Sequence, residues 1–262
     1  MAYKTLDVRR DGHVAVIALA RPRAGNAVNA ALAEEMRDAC RRLYEDDAVR
    51  AVLLTAQGRR FCVGTDAAEE KRLLKARSPA RVEAIMARLS VASSIASLDR
   101  PVVAAIQGDA LGQGLELALA CDIRIAATGA RFAMPQVARG VVPWDGGTQR
   151  LPRIVGHSAA QGLLLGGQTL TARDALRIGL VTQVVPAKGL ADAARAVAER
   201  LAGYAPFATR YLKETVRHGQ DMTLEQGLRL EADLSTLLQT TRDRAEGIRA
   251  FFEKRAPKFE GR

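Results

Sequence analysis

Apolar residues along this chain recur in two rhythms, and the change from one to the other organises it. Val14-Ala15-Val16-Ile17-Ala18-Leu19, Val49 to Thr55 and Val102 to Ile106 are short apolar runs rich in β-branched side chains, the pattern of strands buried on both faces. Lys4 to Val8 alternates and Gly12-His13 marks a turn, so the N-terminus reads as a β-hairpin. Leu32, Met36, Cys40 and Leu43 recur at helical spacing over 30–44; Val82, Ile85, Met86, Leu89, Ile95 and Leu98 do so over 81–98, ending before Pro101. Ile123 to Ala126 predicts a further strand. Beyond Gln149 the helical rhythm dominates, over 158–165, 171–178, 191–204, 208–218, 223–238 and 243–254, with Thr171 and Asp243 as start signals and Gly179 and Gly219 as stops. The expected class is α/β: a strand-and-helix core with a helical C-terminal region packed on it or on a neighbour.

Residues 101–127, PVVAAIQGDALGQGLELALACDIRIAA, join both rhythms in one stretch. A strand-like run passes through Gly108, Gly112 and Gly114 into Leu115 to Cys121, which is apolar on every face and reads as a buried helix. One carboxylate, Glu116, stands in it. A helix N-terminus carries unpaired N–H groups and a partial positive charge, so the junction at Gly112-Gln113 is suited to stabilising an anion. With the helix starting there, Glu116 falls on the face of Gln113, and one surface offers a donor and a carboxylate together. The structural alternative has the glycines permitting close packing and Glu116 satisfied by a buried arginine such as Arg124. The strand, loop and helix pattern repeats at 49–75, where Gly64 and Thr65 occupy the turn and Asp66 with Glu69 resembles a capping box. A second glycine-rich loop at 137–148 holds the single tryptophan, Trp144, and Asp145, which is either a reacting carboxylate or a helix cap.

Composition narrows the function. The 262 residues make one large domain or two modest ones, either able to bury a sizeable core. Hydrophobic residues are 48% of the chain, no apolar stretch reaches the roughly 18 residues of a membrane span, and the opening MAYKTLDVRRDGHV lacks an apolar signal core. A cytoplasmic globular protein is expected. Cys40, Cys62 and Cys121 are widely spaced without CxxC, which fits reduced thiols, and His13, His157 and His218 lack partners at ligand spacing, so no metal is expected. The formal charge of +10 comes from 39 basic and 29 acidic residues, and only seven of the basic residues are lysine. Such a chain is compatible with nucleic acid, a membrane surface or an anionic small molecule. The arginines are scattered without interleaved aromatics, so no nucleic-acid surface is evident; a phosphate-rich ligand remains compatible, and Arg21 and Arg23 are either solvated loop charges or its contacts. Dinucleotide, P-loop and serine-hydrolase signatures are absent from the sequence.

ARPRAGNAVN at 20–29, RRFCVGTD at 59–66, IQGDALGQGLELALACDIRIA at 106–126, FAMPQVARGVVPWDGGTQRLPRIVG at 132–156, A-x-x-A-x-x-I-G-L-V at 172–181 and EGIRAFFEKRAPKF at 246–259 together resemble the crotonase superfamily. This is the enoyl-CoA hydratase and isomerase family, and the match spans nearly the whole chain. The resemblance implies a crotonase-like spiral of ββα units over 1–200 and a helical trimerisation region at 201–262, in a trimer or a dimer of trimers. It implies an acyl-CoA thioester as substrate, no separate cofactor, and an oxyanion hole made by the backbone N–H groups of Thr65 and Gln113. Substrate contacts are implied within the matching motifs, at Arg23, Ala24, Asn26, Phe61, Cys62, Gly64, Asp66, Leu111, Gly112, Pro135, Trp144 and Lys254.

Glu116 matches the first of two catalytic glutamates of the hydratases, and Gln136, after Pro135, stands where the second would fall. An amide orients water but neither takes up nor delivers a proton at neutral pH. Asp145 lies in the loop where dienoyl-CoA isomerases, some other isomerases and the dehalogenases place an aspartate, shifted by one residue. The expected activity is addition of water to a 2-enoyl-CoA, straight, dienoyl or cyclic, with Glu116 as acid–base and Gln136 or Asp145 positioning water or relaying the proton. Burial should raise the pKa of Glu116 toward a useful range. Alternatives are double-bond isomerisation and ring-opening hydrolysis. RNA binding belongs to one branch of the family with a lysine-rich helix; here residues 31–50 mix Glu34, Glu35, Asp38, Glu45, Asp46 and Asp47 with their arginines, which argues against it.

Overall fold

β1 (Leu6–Asp11) and β2 (Val14–Leu19) form the expected hairpin, with Leu6 opposite Leu19. The computed structural model describes residues 3–262, so Met1 and Ala2, which open both the stretch read for a signal and the 1–200 region, lie outside the described residues. α1 (Ala30–Glu45) is capped by the Asn29 side chain and leads to β3 (Ala51–Ala56), parallel to β2. α2 (Ala67–Lys75), α3 (Pro79–Leu89) and α4 (Ala92–Ala96) precede β4 (Val102–Ile106), β5 (Ala110–Leu111) and α5 (Gln113–Leu119). β6 (Ile123–Ala127), β7 (Arg131–Ala133), α6 (Gly147–Val155), α7 (His157–Leu164), β8 (Thr169–Thr171), α8 (Ala172–Arg177) and β9 (Gln183–Val185) follow. α9 (Leu190–Ala202), α10 (Pro206–Gly219), α11 (Leu224–Gln239) and α12 (Arg242–Phe252) close the chain.

The larger sheet runs β1-β2-β3-β4-β6-β9, parallel apart from β1, and β5-β7-β8 form a smaller one. The unbroken apolar runs follow from burial on both faces of the larger sheet. Ala15, Ile17 and Leu19 join a core with Leu32 and Met36 of α1 and Leu115 of α5, while Val14 and Val16 join a second core under α9. β4 divides in the same way, Val102, Ala104 and Ile106 against Val103 and Ala105. α9 meets its face with Leu190, Ala194, Ala198 and Ala202, one stripe at four-residue spacing. Among the described residues no helix is long and apolar enough to cross a membrane.

Several local expectations change. The helical pattern over 81–98 is broken at Ser90, and the N–H groups of Val91 and Ala92 turn to the Asp145 carboxylate at 2.9 and 3.1 Å. Glu69 does not complete a capping box with Asp66: its carboxylate accepts from Ala30 N and pairs with Arg72, while Asp66 caps α2 alone through Ala68 N. Thr241, not Asp243, caps α12, and Asp243 instead accepts from Glu260 N and Gly261 N, tying down the C-terminal segment. The short strands β5, β7, β8 and β9 are too brief for a period to register, and α6 opens on Gly147 and contains Pro152, two residues that read as breakers.

Candidate active site

The loops after β3 and β4 are zipped together. Phe61 N and Cys62 N donate to Asp109 O at 3.1 and 3.0 Å, and Leu111 N donates to Cys62 O at 2.9 Å. Only glycine fits at 114, because a Cβ there would lie 2.7 Å from the Cys62 carbonyl carbon and closer still to its oxygen. Gly64, with φ +105°, turns its strand so that a Cβ on it would stand 3.7 Å from Gln113 N. Thr65 N and Gln113 N meet at this turn and donate to no backbone acceptor among the described residues. Gln113 is the first residue of α5, where a helix leaves its N–H groups unpaired. Thr65 Oγ1 donates to Gln113 Oε1 at 3.0 Å, clasping the two residues by their side chains. Two N–H groups left unpaired on residues of one cavity wall can serve as donors to a negatively charged oxygen.

Glu116, one turn further along α5, is wholly buried. Arg124 is not its partner, since that guanidinium donates to Leu180 O at 2.7 Å and to Cys121 O. Instead Asp145 N and Gly147 N each donate to Oε1 at 2.8 Å, and Gln136 Nε2 stands 3.5 Å from Oε2. Burial pushes the Glu116 carboxyl up to about 7; the N–H groups of Gly147 and Asp145 pull it back, and the negative charge of Asp145 adds to the rise. A carboxyl that titrates there exchanges protons readily at neutral pH.

Asp145 does something other than react. Its Oδ1 accepts from Ser90 Oγ at 2.7 Å, and its Oδ2 accepts from Val91 N, Ala92 N and Gln113 Nε2 at 2.9, 3.1 and 3.1 Å. Held by four donors, this carboxylate caps α4, so the expectation of a second reacting carboxylate does not fit its bonding.

A cavity of about 860 Å³ opens on the wall formed by Gly64, Thr65, Gly112 and Gln113, with Pro135, Gln136 and Trp144 also on its surface. Val63, Leu73, Leu74, Val82, Met86, Val137, Val141 and Val142 make the rest largely apolar, which suits an acyl chain. Gln136 fronts the cavity with Glu116 behind it, and its Oε1 is buried without a partner.

The remaining sequence candidates lie off this surface. Asn26 donates to Gln57 O and Arg60 O, both at 2.9 Å, and accepts from Arg21 N, so it ties loops together. Phe61 and Cys62 fill the core, Leu111 lies in β5, and Asp66 pairs with Arg21 at 2.9 Å, which occupies the arginine read as a phosphate contact. Arg23, Ala24 and Lys254 are exposed and are not among the residues that line the cavity. Burial pushes the thiols of Cys40, Cys62 and Cys121 up to about 12, which leaves them protonated and unreactive. Among the described residues no cluster of three His, Cys, Asp or Glu side chains is arranged to hold a metal. Ser90, Gly147 and Arg150, which hold Asp145 or Glu116, carried no sequence signal: a serine inside the helical pattern over 81–98, half of a Gly-Gly turn and one arginine among many.

This fold is that of an acyl-CoA enzyme family. A family model described as enoyl-CoA hydratase/isomerase matches residues 9–262, and the chain belongs to that family. Among its relatives, the 2,3-dehydroadipyl-CoA hydratase of Escherichia coli K12 is 38% identical over 98% of this chain and 99% of its own length. The crotonyl-CoA hydratase of Syntrophomonas wolfei is 37% identical over 99% of each. The crystal structure of an enoyl-CoA hydratase from Bacillus anthracis superposes with a TM-score of 0.93 at 36% identity, covering 99% of this chain and 100% of that one.

Proposed function

We propose that the protein adds water across the conjugated double bond of a 2-enoyl-CoA thioester, with no cofactor beyond the CoA that the substrate carries. The thioester oxygen accepts from Thr65 N and Gln113 N. Glu116 takes a proton from water as the water oxygen bonds to Cβ, and the displaced π electrons collect on the thioester oxygen as an enolate. Collapse of the enolate returns the proton from Glu116 to Cα. The observation that carries this reading is one turn of α5 that presents the unpaired Gln113 N–H beside a carboxyl pushed up to about 7. Gln136 can accompany both states of that carboxyl. Its Nε2 faces the carboxylate, and after rotation of the amide its unpartnered Oε1 would accept from the carboxylic O–H. Relatives named for crotonyl-CoA and 2,3-dehydroadipyl-CoA support straight-chain acyl groups as first substrates. Incubation with crotonyl-CoA should bleach the conjugated thioester absorbance; an enzyme that leaves it untouched across a panel of enoyl-CoAs is no hydratase.

The amide of Gln136, in place of a second carboxylate beside Glu116, also favours a second reading, movement of a double bond by one base shuttling a proton between two carbons. A 3-enoyl-CoA would then gain the conjugated absorbance that hydration removes.

The helices after residue 200 serve as the oligomerisation region of a homotrimer or dimer of trimers. Support comes from their apolar surface: Phe251, Phe252 and Leu224 are 78%, 77% and 79% exposed. Replacing Phe251 and Phe252 together by Lys is expected to convert the sedimenting trimer to monomer, and an unchanged trimer removes those side chains from the interface. The setting proposed is the cytoplasm, in keeping with three buried free thiols, and the anionic partner is the CoA moiety rather than RNA.

A further inference from the structure

Asp145 touches both halves of the site while facing no substrate. Its carboxylate accepts from Gln113 Nε2 at 3.1 Å, and the other end of that amide, Oε1, accepts from Thr65 Oγ1 at 3.0 Å. Its backbone N–H meanwhile donates to Glu116 Oε1 at 2.8 Å. A continuous run of hydrogen bonds therefore passes from Thr65 through the Gln113 side chain and Asp145 to Glu116. Both ends are anchored. Ser90 Oγ, Val91 N and Ala92 N fix the carboxylate to the start of α4, and Arg150 Nη1 fixes the Asp145 carbonyl at 2.9 Å. The Asp145 carboxylate is buried and already holds four donors, which commits it to positioning.

We infer that Asp145 is a positioning residue that holds the Gln113 and Thr65 N–H pair in register with the Glu116 carboxylate, its side chain gripping the Gln113 amide and its backbone N–H the carboxylate. The inference rests on the roles proposed above for Thr65, Gln113 and Glu116. Thr65 and Asp145 share no hydrogen bond, yet each grips one end of the same amide. The Nε2 end is shared between Asp145 Oδ2 at 3.1 Å and Leu89 O at 2.7 Å, so Asp145 and Leu89 together set its direction while Thr65 sets the other end, and losses at Thr65 and Asp145 act on one amide and are less than additive.

The test uses acetoacetyl-CoA, whose bound enolate absorbs in the near ultraviolet and reports polarisation of the thioester without turnover. Thr65→Val removes the hydroxyl and keeps the backbone N–H; Asp145→Asn keeps the shape, removes the charge and presents an amide N–H where donors already point. Each alone is expected to lower the enolate-to-keto ratio roughly 10-fold, and the double variant also roughly 10-fold rather than roughly 100-fold, the signature of coupled residues. Dissociation constants for butyryl-CoA should stay within about twofold, since that ligand forms no enolate. Ser90→Ala, which loosens the α4 cap and leaves the Gln113 bond intact, should keep the band. Multiplicative losses, a full band in Asp145→Asn, or an equal loss in Ser90→Ala each overturn the inference. If Asp145→Asn does not fold, Gln113→Met takes its place: it keeps the backbone N–H, loses all three side-chain bonds, to Thr65, Leu89 and Asp145, and should fall at least as far as the double variant, and a full band there overturns the inference as well. Wild-type protein that shows the band and hydrates nothing refutes the proposed reaction while the positioning role stands; wild-type protein without the band removes both.

Discussion

Glu116→Gln should lower kcat for hydration roughly 10³-fold, within the range for loss of a general acid–base, while butyryl-CoA binding survives. The side chain keeps its shape, and its Oε1 still accepts from Asp145 N and Gly147 N, so the fold around α5 has no reason to move. What disappears is the carboxyl raised to about 7, one turn along α5 from the Gln113 N–H. The same variant carries a second expectation with a definite sign. The Glu116 carboxyl is raised from an ordinary 4.5 to about 7, first by burial, so the folded chain holds this proton across a window in which the unfolded chain has lost it. The stabilisation this gives is present below about 4.5 and lost as pH rises through about 7. Glutamine has no proton to lose. Glu116→Gln should therefore melt with wild-type protein at pH 5 and above it at pH 8, by up to about 3 kcal/mol of stability. A variant that is less stable at pH 8 than at pH 5, relative to wild type, contradicts the buried carboxylate.

Gly114→Ala has the next largest effect. The added Cβ meets the Cys62 carbonyl, backbone on backbone, and no side-chain rotation can relieve it. Residues 61–65 and 109–114 must separate, and they carry the two N–H groups whose spacing sets the oxyanion site. A displacement of about 1 Å is enough to cost about 10²-fold in kcat, and overpacking of this kind typically destabilises by about 1–3 kcal/mol. Gly129→Ala is the control, since nothing lies within 4 Å of its added Cβ. Both are read by a steady-state assay and a thermal melt. If Gly114→Ala turns over like wild type, the two donors are not set by this contact.

The core was legible because strands buried on both faces leave a dense apolar record: β2, β3 and β4 each sit between α9 and the α1 side, and their runs are unbroken. Glu116 was legible for the opposite reason, as one carboxylate in an otherwise apolar helix. Its partner was not. The expected Arg124 is a charge, whereas the actual donors are two backbone N–H groups from a loop some thirty residues away, and backbone donors have no signature in a side-chain string. Asp145 shows the same limit. Its place after a glycine-rich loop reads as reactive or as a cap for the helix that follows, yet it caps α4, more than fifty residues earlier in the chain. Asn26 and Phe61 belong to motifs next to the site and serve the loops and core behind it, a distinction that spacing along the chain does not carry.

The most direct test of Glu116 as the single acid–base is the pH dependence of kcat/KM for crotonyl-pantetheine, a thioester without phosphate groups that titrate on the substrate. The limb on the acid side should bend at about 7, where the free carboxyl is held by burial, and it should vanish from the residual activity of Glu116→Gln. A profile flat from pH 8 down to pH 5, or a bend that persists in Glu116→Gln, would show that another group carries the proton.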